Sequence, residues 1–216
     1  MTDLFADITD AQPAREELAE GAVLLRNFFA AEQPDVIAAL RIIVKAAPFR
    51  HLITPGGHTM SVAMTNCGRV GWVSDPSGYR YDPIDPDSGK PWPDMPAPFR
   101  DLAARAAAQG GFDAFTPDAC LINRYKPGAK LSLHQDKDEL DLRAPIVSVS
   151  LGLPATFLFG GLSRSDPVKR HRLTHGDVVV WGGPARLAYH GVAPLPDGEH
   201  PVMGGQRINL TFRKTR

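Results

Sequence analysis

Two side chains that can bind a metal ion, His134 and Asp136, stand two positions apart. The run Leu131–Asp136 alternates between apolar and polar residues, a pattern that predicts a strand. Because side chains alternate across a strand, both would project from one face, about 6.6 Å apart along it. Two such side chains can converge on one metal ion, so this pair is the first candidate for chemistry.

A third ligand must come from elsewhere, and His190 is the best candidate. It ends a predicted strand, Leu187–His190, and Gly191 follows it. Two histidines and one carboxylate leave part of the coordination sphere open, as non-haem Fe(II) oxygenases require. The other histidines that could serve as ligands are His51, His58, His171, His175 and His200.

Two other interpretations of the pair remain open at this point. His134 could lie near a surface turn with Asp136 solvated, since a bare His-x-Asp is weak evidence for a metal. A structural zinc site is disfavoured, because the two cysteines, Cys67 and Cys120, are few and far from His134 in the sequence.

The C-terminal run Arg207–Arg213 predicts a strand with one polar and one apolar face. The polar face carries Arg207, Asn209, Thr211 and Arg213, and the apolar face carries Ile208, Leu210 and Phe212. Two arginines on an inward face are costly to bury without an anionic partner. A dicarboxylate such as 2-oxoglutarate supplies two anions suited to guanidinium contacts. An exposed edge strand with ordinary surface arginines is the alternative.

Asn123 and Tyr125 share a face just before the predicted turn Lys126–Ala129. Their amide and hydroxyl groups can donate hydrogen bonds to a carboxylate beside the metal. The sequence therefore predicts a co-substrate site adjoining the metal site.

Composition limits the class of protein. The formal net charge is zero, so charge gives no indication of a long groove that grips many phosphates. Two cysteines without a disulfide framework favour a reducing cytoplasm. The acidic N-terminus has no signal-peptide pattern, and no apolar run approaches a membrane span, so we expect no membrane partner.

The chain length fits one domain. We expect residues 1–20 to be a flexible arm and residues 21–216 to form a single domain. Gly21–Phe29 predicts an entering strand, and Ala31–Ala47 and Pro98–Gln109 predict helices. Between the helices, residues 54–96 are rich in Gly, Pro, Asp and aromatics and predict a loop-and-hairpin insertion over a site.

Short β-rich runs fill the rest of the chain. They are Cys120–Tyr125, Leu131–Asp136, Ile146–Leu153, Thr156–Phe159, Arg170–Leu173, Val178–Trp181, Leu187–His190 and Arg207–Arg213. Eight short strands in roughly 100 residues suggest a double-sheet jelly roll. With the two helices, the expected fold class is α+β, a double-stranded β-helix core with N-terminal supporting helices.

These residues resemble the AlkB family of oxidative nucleic-acid dealkylases, over nearly the whole chain from Thr54 to Arg213. The resemblance is densest in Pro117–Tyr125, in Gly128–Glu139 and in the Arg207–Arg213 strand. It implies His134, Asp136 and His190 as ligands of Fe(II). Around 2-oxoglutarate it implies Asn123, Tyr125, Leu131, Arg207, Asn209 and Arg213. It also implies a jelly-roll core under a nucleotide-recognition lid, residues 54–96.

The resemblance further implies how a substrate is bound. Trp72 matches an aromatic residue that stacks on the damaged base, although a core tryptophan is commoner in general. Tyr79, Arg80 and Tyr81 match a segment that touches the nucleic-acid backbone. Asp138 and Arg164 match residues close to the base. His58 stands where close relatives carry a lid tyrosine, a change that bears on the strand preference.

The activity that the resemblance implies is oxidative demethylation with Fe(II), 2-oxoglutarate and O2. The expected substrates are 1-methyladenine and 3-methylcytosine in single-stranded DNA, with RNA as a further candidate, and the expected state is a monomer. Three rivals remain: a 2-oxoglutarate-dependent hydroxylase of a protein or small molecule, a non-catalytic jelly-roll binding module, and a zinc hydrolase. The last has no use for the Arg207–Arg213 strand.

Overall fold

The computed structural model describes residues 15–216. Its fourteen strands are β1 Arg15–Ala19, β2 Ala22–Leu25, β3 Arg50–Ile53, β4 Thr59–Gly68, β5 Gly71–Asp75, β6 Gly78–Asp82, β7 Ala119–Tyr125, β8 Leu131–His134, β9 Ile146–Gly152, β10 Ala155–Phe159, β11 Lys169–Leu173, β12 Val178–Trp181, β13 His190–Val192 and β14 Arg207–Arg213. Its two α-helices are α1 Gln33–Ala46 and α2 Ala97–Gln109.

Two facing sheets make the jelly-roll core. The major sheet has eight strands in the order β1-β2-β12-β9-β14-β7-β4-β3, and the minor sheet has four in the order β11-β10-β13-β8. Strand β14 lies in the middle of the major sheet, antiparallel to β9 and β7 on its two sides. The pair β5–β6 forms a separate hairpin. The fold is therefore the expected α+β jelly roll with supporting helices.

Helices α1 and α2 cover one face of the major sheet. Their apolar stripes, which include Ile43 and Phe99, pack on inward residues such as Leu210 and Phe212 of β14. Because side chains alternate along β14, its polar members point to the opposite face, toward the minor sheet. A second apolar cluster around Trp181 and Phe157 packs between the two sheets beside that polar face.

Most predicted elements are present with ends shifted by one or two residues. The strands Val178–Trp181 and Arg207–Arg213 have the predicted bounds. One strand is wrong: residues 187–189 are not part of a strand, and His190 begins β13 instead of ending a strand. A 3-10 turn at Gly183–Ala185 occupies the chain before it, and strand pairing starts only where His190 meets β8 and β10.

The predicted lid also differs from the structure. Residues 54–96 contain β4, a strand of the major sheet whose Val62 and Cys67 are fully buried. The polar residues of β4 make this strand look solvent-exposed in the sequence. One of them, Thr65, donates a hydrogen bond to the carbonyl oxygen of Ala47 and is therefore satisfied inside the core. The part that lies outside the two jelly-roll sheets is the β5–β6 hairpin with the loop that follows it.

The predicted flexible arm, residues 1–20, is only partly described. Residues 1–14 lie outside the described residues, whereas Arg15–Ala19 pairs with β2 at the edge of the major sheet. The arm prediction therefore fails for residues 15–19, whose backbone is hydrogen-bonded in a strand. Within residues 15–216, no helix is long and apolar enough to cross a membrane.

Candidate metal and co-substrate site

Strands β8 and β13 bring the three predicted metal ligands together. His134 ends β8 and His190 begins β13, and the two are directly paired across the minor sheet. Asp136 lies two residues beyond His134, just outside the strand. One ligand atom from each residue lies within 4.8 Å of the others, with Nε2 of His134 3.7 Å from Oδ1 of Asp136. The predicted trio therefore forms one cluster.

Hydrogen bonds to the backbone orient both imidazole rings. Nδ1 of His134 lies 2.9 Å from the carbonyl oxygen of Ser132, and Nδ1 of His190 lies 3.0 Å from that of Ala188. A carbonyl oxygen only accepts, so each Nδ1 carries the hydrogen and each Nε2 keeps its lone pair. Such a bond fixes the tautomer and direction of a metal-binding histidine. Both free lone pairs face Asp136, as the 3.7 and 3.8 Å distances from Nε2 show.

The electrostatics keep these ligands in the form that binds a metal. Burial would raise the pKa of Asp136, but the guanidinium of Arg213 and the two imidazoles outweigh it, so the pKa is lowered. Burial, with His134 beside it, lowers the pKa of His190 to about 4. A charged carboxylate and a neutral imidazole at neutral pH are the states that coordinate a cation. This donor set fits Fe(II) with an open coordination face.

Arg207 forms the centre of the predicted co-substrate site. Its side chain is 1% exposed, and its Nη2 donates to Oγ of Ser150 at 3.1 Å, while Nε and Nη1 have no hydrogen-bond partner within residues 15–216. Its guanidinium lies over the Tyr125 ring, 5.0 Å from the ring centre. Burial lowers the pKa of Arg207, although Tyr125 opposes this. A buried cation with two free donors fits a carboxylate ligand.

The other predicted co-substrate residues lie around this arginine. Asn123 is paired with Asn209 across β7 and β14, and the Oδ1 atom of Asn123 has no partner among the described residues. The side-chain amide of Asn209 instead donates to Oγ of Ser148 at 2.7 Å, so Asn209 stabilises the pairing of β14 with β9. Leu131 is partly exposed at the start of β8 and packs against the cluster that contains Tyr125.

Arg213, another predicted co-substrate residue, lies beside the metal-site carboxylate. The structure pairs its guanidinium with the metal-site carboxylate, through Nη2 to Oδ2 of Asp136 at 2.7 Å. Its Nε also lies 3.3 Å from Oε1 of Glu139. Its pKa is raised, since Asp136, Tyr81 and Glu139 outweigh the effect of burial. Arg213 therefore holds the ligand loop and has fewer donors left for a co-substrate.

Sequence reasoning missed two residues that support the site. The side chain of Glu139 is almost fully buried and pairs with Arg186 at 2.9 Å. Arg186 also donates to the carbonyl oxygens of Asp136 and Ala144, so it fixes both ends of the loop that carries the metal-site carboxylate. Glu139 stands in a run of charges that looks solvated, and no local pattern predicts its burial.

Two predicted substrate residues, Trp72 and Tyr79, form an aromatic surface beside the metal-ligand loop, and a third, Asp138, is hydrogen-bonded to it. The Trp72 ring on β5 stacks on Tyr79 of β6, with ring centres 5.4 Å apart. Nε1 of Trp72 donates to Oδ2 of Asp138 at 2.8 Å. Asp138 lies two residues after Asp136, so this bond ties the hairpin to the metal-ligand loop. Tyr79 is 49% exposed, which leaves aromatic surface open to a ligand.

The remaining predicted substrate residues have partners inside the protein. Tyr81 donates its hydroxyl hydrogen to Glu139, and burial raises its pKa. Arg80 pairs with Asp75 at 2.8 Å. Arg164 donates to the carbonyl oxygen of Leu133, one residue before the metal-site histidine. His58 is exposed in the turn before β4.

Comparison with known proteins gives one consistent answer. The family model described as 2OG-Fe(II) oxygenase superfamily matches residues 21–213. Alpha-ketoglutarate-dependent dioxygenase AlkB of Escherichia coli (strain K12) is 61% identical, over 99% of this chain and 98% of that protein. Nucleic acid dioxygenase ALKBH1 of Mus musculus is 36% identical, over 61% of this chain and 34% of that one.

A solved structure described as that of OsALKBH1 superposes with a TM-score of 0.79, at 30% identity. It covers 93% of this chain and 99% of that chain. The fold, the ligand cluster and the extent of the sequence match therefore agree, and the chain belongs to the AlkB family of the 2OG-Fe(II) oxygenase superfamily.

Proposed function

We propose that the protein removes methyl groups from alkylated nucleic-acid bases by oxidation, as a repair enzyme for DNA alkylation damage. It is a dioxygenase that uses Fe(II), 2-oxoglutarate and O2. The observation that carries the proposal is the cluster of His134, Asp136 and His190, whose ligand atoms lie within 4.8 Å of one another. The nucleic-acid substrate is supported by the exposed aromatic surface beside it and by the relative named a nucleic acid dioxygenase.

When bound, Fe(II) and 2-oxoglutarate would supply, with O2, the oxidising chemistry that hydroxylates a methyl group on a base nitrogen. His134, Asp136 and His190 would hold the iron. Arg207 and Tyr125 orient the carboxylate of 2-oxoglutarate, since Arg207 has two buried donors without a partner among the described residues. The hydroxylated methyl group then leaves as formaldehyde, which restores the base.

The base reaches the iron by leaving its stack. A lesion that blocks pairing lowers the cost of this step, which selects 1-methyladenine and 3-methylcytosine without wide sequence readout. Stacking on Trp72 can contribute about 1–3 kcal/mol per base. Asp138 accepts a hydrogen bond from Nε1 of Trp72, and a base with an exocyclic amino group can compete for the same carboxylate.

The finer features of the substrate follow from the size of this surface. Few contacts are available and the formal net charge is zero, so we infer a single strand of DNA as the main substrate, with RNA as a second. The β5–β6 hairpin and the loop after it act as the nucleotide-recognition lid of a single domain. The protein acts as a monomer, and the free thiols of Cys67 and Cys120 favour the reducing cytoplasm.

The experiment is a turnover assay with a methylated single-stranded oligonucleotide. The protein is loaded with Fe(II) and 2-oxoglutarate without oxygen, and oxygen then starts the reaction. We expect formaldehyde and succinate in equal amounts, with mass loss of one methyl group from the oligonucleotide. Succinate without loss of the methyl group would reject the nucleic-acid substrate, and absence of both products would reject the mechanism.

A matched pair of variants ties the activity to the cluster. His134→Ala removes one metal ligand, so it should abolish both products and weaken Fe(II) binding. His51→Ala removes an exposed histidine on β3, away from the cluster, and should behave as the unmodified protein. Equal activity in the two variants would contradict the assigned ligand set.

A further inference from the structure

We propose that a basic cavity at the end of β14 binds a backbone phosphate of the nucleic-acid strand, outside the site that receives the base. The proposal rests on the proposed function and extends it to the flanking part of the strand. The cavity has a volume of about 590 Å³. Its lining includes three cationic residues, Arg69, Lys214 and Arg216.

Backbone hydrogen bonds hold the walls of this cavity in place. The turn after β4 is joined to the segment before β7, where the amide of Arg69 donates to the carbonyl oxygen of Asp118 at 2.8 Å. The amide of Asp118 in turn donates to the carbonyl oxygen of Arg213 at 3.0 Å. Three separate segments of the chain therefore meet around the cavity, and two of these segments carry its cations. The backbone hydrogen bonds hold the cavity walls in place without a ligand.

The lining contains one acidic side chain, Asp118, against three cationic ones, and its oxygens are hydrogen-bonded elsewhere. Both carboxylate oxygens of Asp118 accept hydrogen bonds from Thr215, at 2.7 Å from the amide and 3.0 Å from the hydroxyl. Asp141 pairs with Arg143 at 2.8 Å. By contrast, Arg69, Lys214 and Arg216 form no ion pair with any residue in 15–216, so their positive charges remain available to an anion.

The cavity adjoins both parts of the site that would hold the nucleotide. Pro83, which directly follows the β6 strand of the lid hairpin, lines it. Lys214 directly follows Arg213, whose guanidinium contacts Asp136 in the metal cluster. In this proposal, a strand with one base in the site lies with its backbone along the hairpin and continues over this cavity. The anion that arrives there is therefore a phosphodiester of the same strand.

The chemistry of the lining fits this ligand. Phosphate oxygens prefer guanidinium and ammonium donors, and such contacts carry no base preference. They add affinity to a protein that is neutral overall, by placing positive charge only where the strand passes. Because counterions are released on binding, the affinity falls as the salt concentration rises. The logarithm of the binding constant falls with the logarithm of the salt concentration with a slope of about 0.7 per phosphate for single strands.

The test compares two sets of three Gln substitutions. One set, Arg69→Gln with Lys214→Gln and Arg216→Gln, removes the charges of the cavity. The matched control, Arg15→Gln with Arg41→Gln and Lys45→Gln, removes equal charge from exposed positions of β1 and α1 that form no ion pair within residues 15–216. Each protein is assayed for binding to an unmodified single strand and for turnover of two methylated substrates, a long oligonucleotide and a trinucleotide.

We expect the cavity variant to bind the long strand about fivefold more weakly near 0.1 M salt for each phosphate that the cavity no longer binds. Its KM for the long oligonucleotide should rise with little change in kcat, and its salt dependence should become shallower. The KM for the trinucleotide should match that of the control variant, because that substrate does not reach the cavity.

Equal KM and equal salt slopes in the cavity and control variants would overturn the phosphate site. An equal loss on the trinucleotide would also overturn it, because the charges would then act on the base site. If the unmodified protein demethylates neither substrate, the proposed function fails, whereas binding to the unmodified strand still decides the cavity. The two failures are therefore distinguishable.

Discussion

Arg213 and Asp136 form a buried ion pair in which Nη2 and Nε of the guanidinium lie 2.7 and 3.1 Å from the same carboxylate oxygen, Oδ2. The side chains are 7% and 9% exposed. Asp136 is also the only carboxylate of the metal cluster found in residues 15–216. One arginine at the end of β14 therefore sets the position and charge of a metal ligand that follows β8.

Replacing Arg213 by Gln should destabilise the metal-free protein. The substitution leaves the buried Asp136 carboxylate without its guanidinium, and breaking such a pair costs about 3–5 kcal/mol. Urea unfolding would measure the loss in free energy of unfolding. Arg143→Gln is the control, because its pair with Asp141 is on the surface and is screened by solvent, so its loss should change the free energy of unfolding much less. Similar losses in the two variants would contradict the structural role of Arg213.

Local pattern was enough to predict the metal cluster and the central strand. The alternation in Leu131–Asp136 and in Arg207–Arg213 reports side-chain direction, and both polar faces point between the two sheets as expected. His190 was predicted as a candidate ligand although its strand was wrong. The residue type and the following glycine carried that prediction, whereas pairing with β8 and β10 decides where β13 begins.

The supporting residues could not be predicted in the same way. Arg186 and Glu139 are 47 positions apart, and nothing in either neighbourhood indicates that they meet in a buried ion pair. The strand β4 was assigned to the lid because its buried polar residues look solvent-exposed in sequence. Both errors have one cause: long-range partners satisfy polar groups whose burial a local pattern cannot show.

Arg207→Lys should weaken 2-oxoglutarate binding. Lysine keeps a charge but cannot reproduce the planar donor fork. Losing one hydrogen bond to a charged group costs about 1.5–3 kcal/mol, so we expect the KM for 2-oxoglutarate to rise about 10-fold or more. The co-substrate should also raise the melting temperature of the unmodified protein, because it binds the folded state alone, and this shift should shrink in the variant.

Ser150→Ala is the control for that prediction. It removes only the hydroxyl that accepts from Nη2 of Arg207 at 3.1 Å, a contact worth about 1 kcal/mol. Its KM for 2-oxoglutarate should stay within about fivefold of the unmodified protein. A larger loss in Ser150→Ala than in Arg207→Lys would show that the arginine does not bind the co-substrate.

Gly191→Ala should disturb the metal cluster without touching a ligand. A Cβ at this position would lie 2.6 Å from the carbonyl oxygen of Leu131, so β13 and β8 would have to separate. His190 and His134 are carried by these two strands, and their Fe(II) affinity should fall. Gly56→Ala is the control, since its Cβ would lie 3.7 Å from the nearest side chain. Titration with Co(II), followed by its visible absorption, would measure binding in both variants.

His175 should make stability depend on pH near neutrality. Its Nδ1 accepts a hydrogen bond from the amide of Gly152 at 2.9 Å, and burial, with His200 beside it, lowers its pKa below the ordinary 6.5. The unfolded chain therefore binds the proton more readily than the folded protein. The free energy of unfolding should be highest above pH 6.5 and fall as the pH drops below it, by at most about 1.4 kcal/mol per pH unit.

The variant that isolates this effect is His175→Asn, since the Asn carbonyl oxygen can still accept from Gly152 but does not titrate. In urea unfolding between roughly pH 5 and pH 8, the free energy of unfolding of this variant should depend less on pH than that of the unmodified protein. The difference should be the contribution of one histidine. His51→Asn, at an exposed position, is the control substitution. Parallel profiles for His175→Asn and the unmodified protein would show that His175 is not the group that titrates.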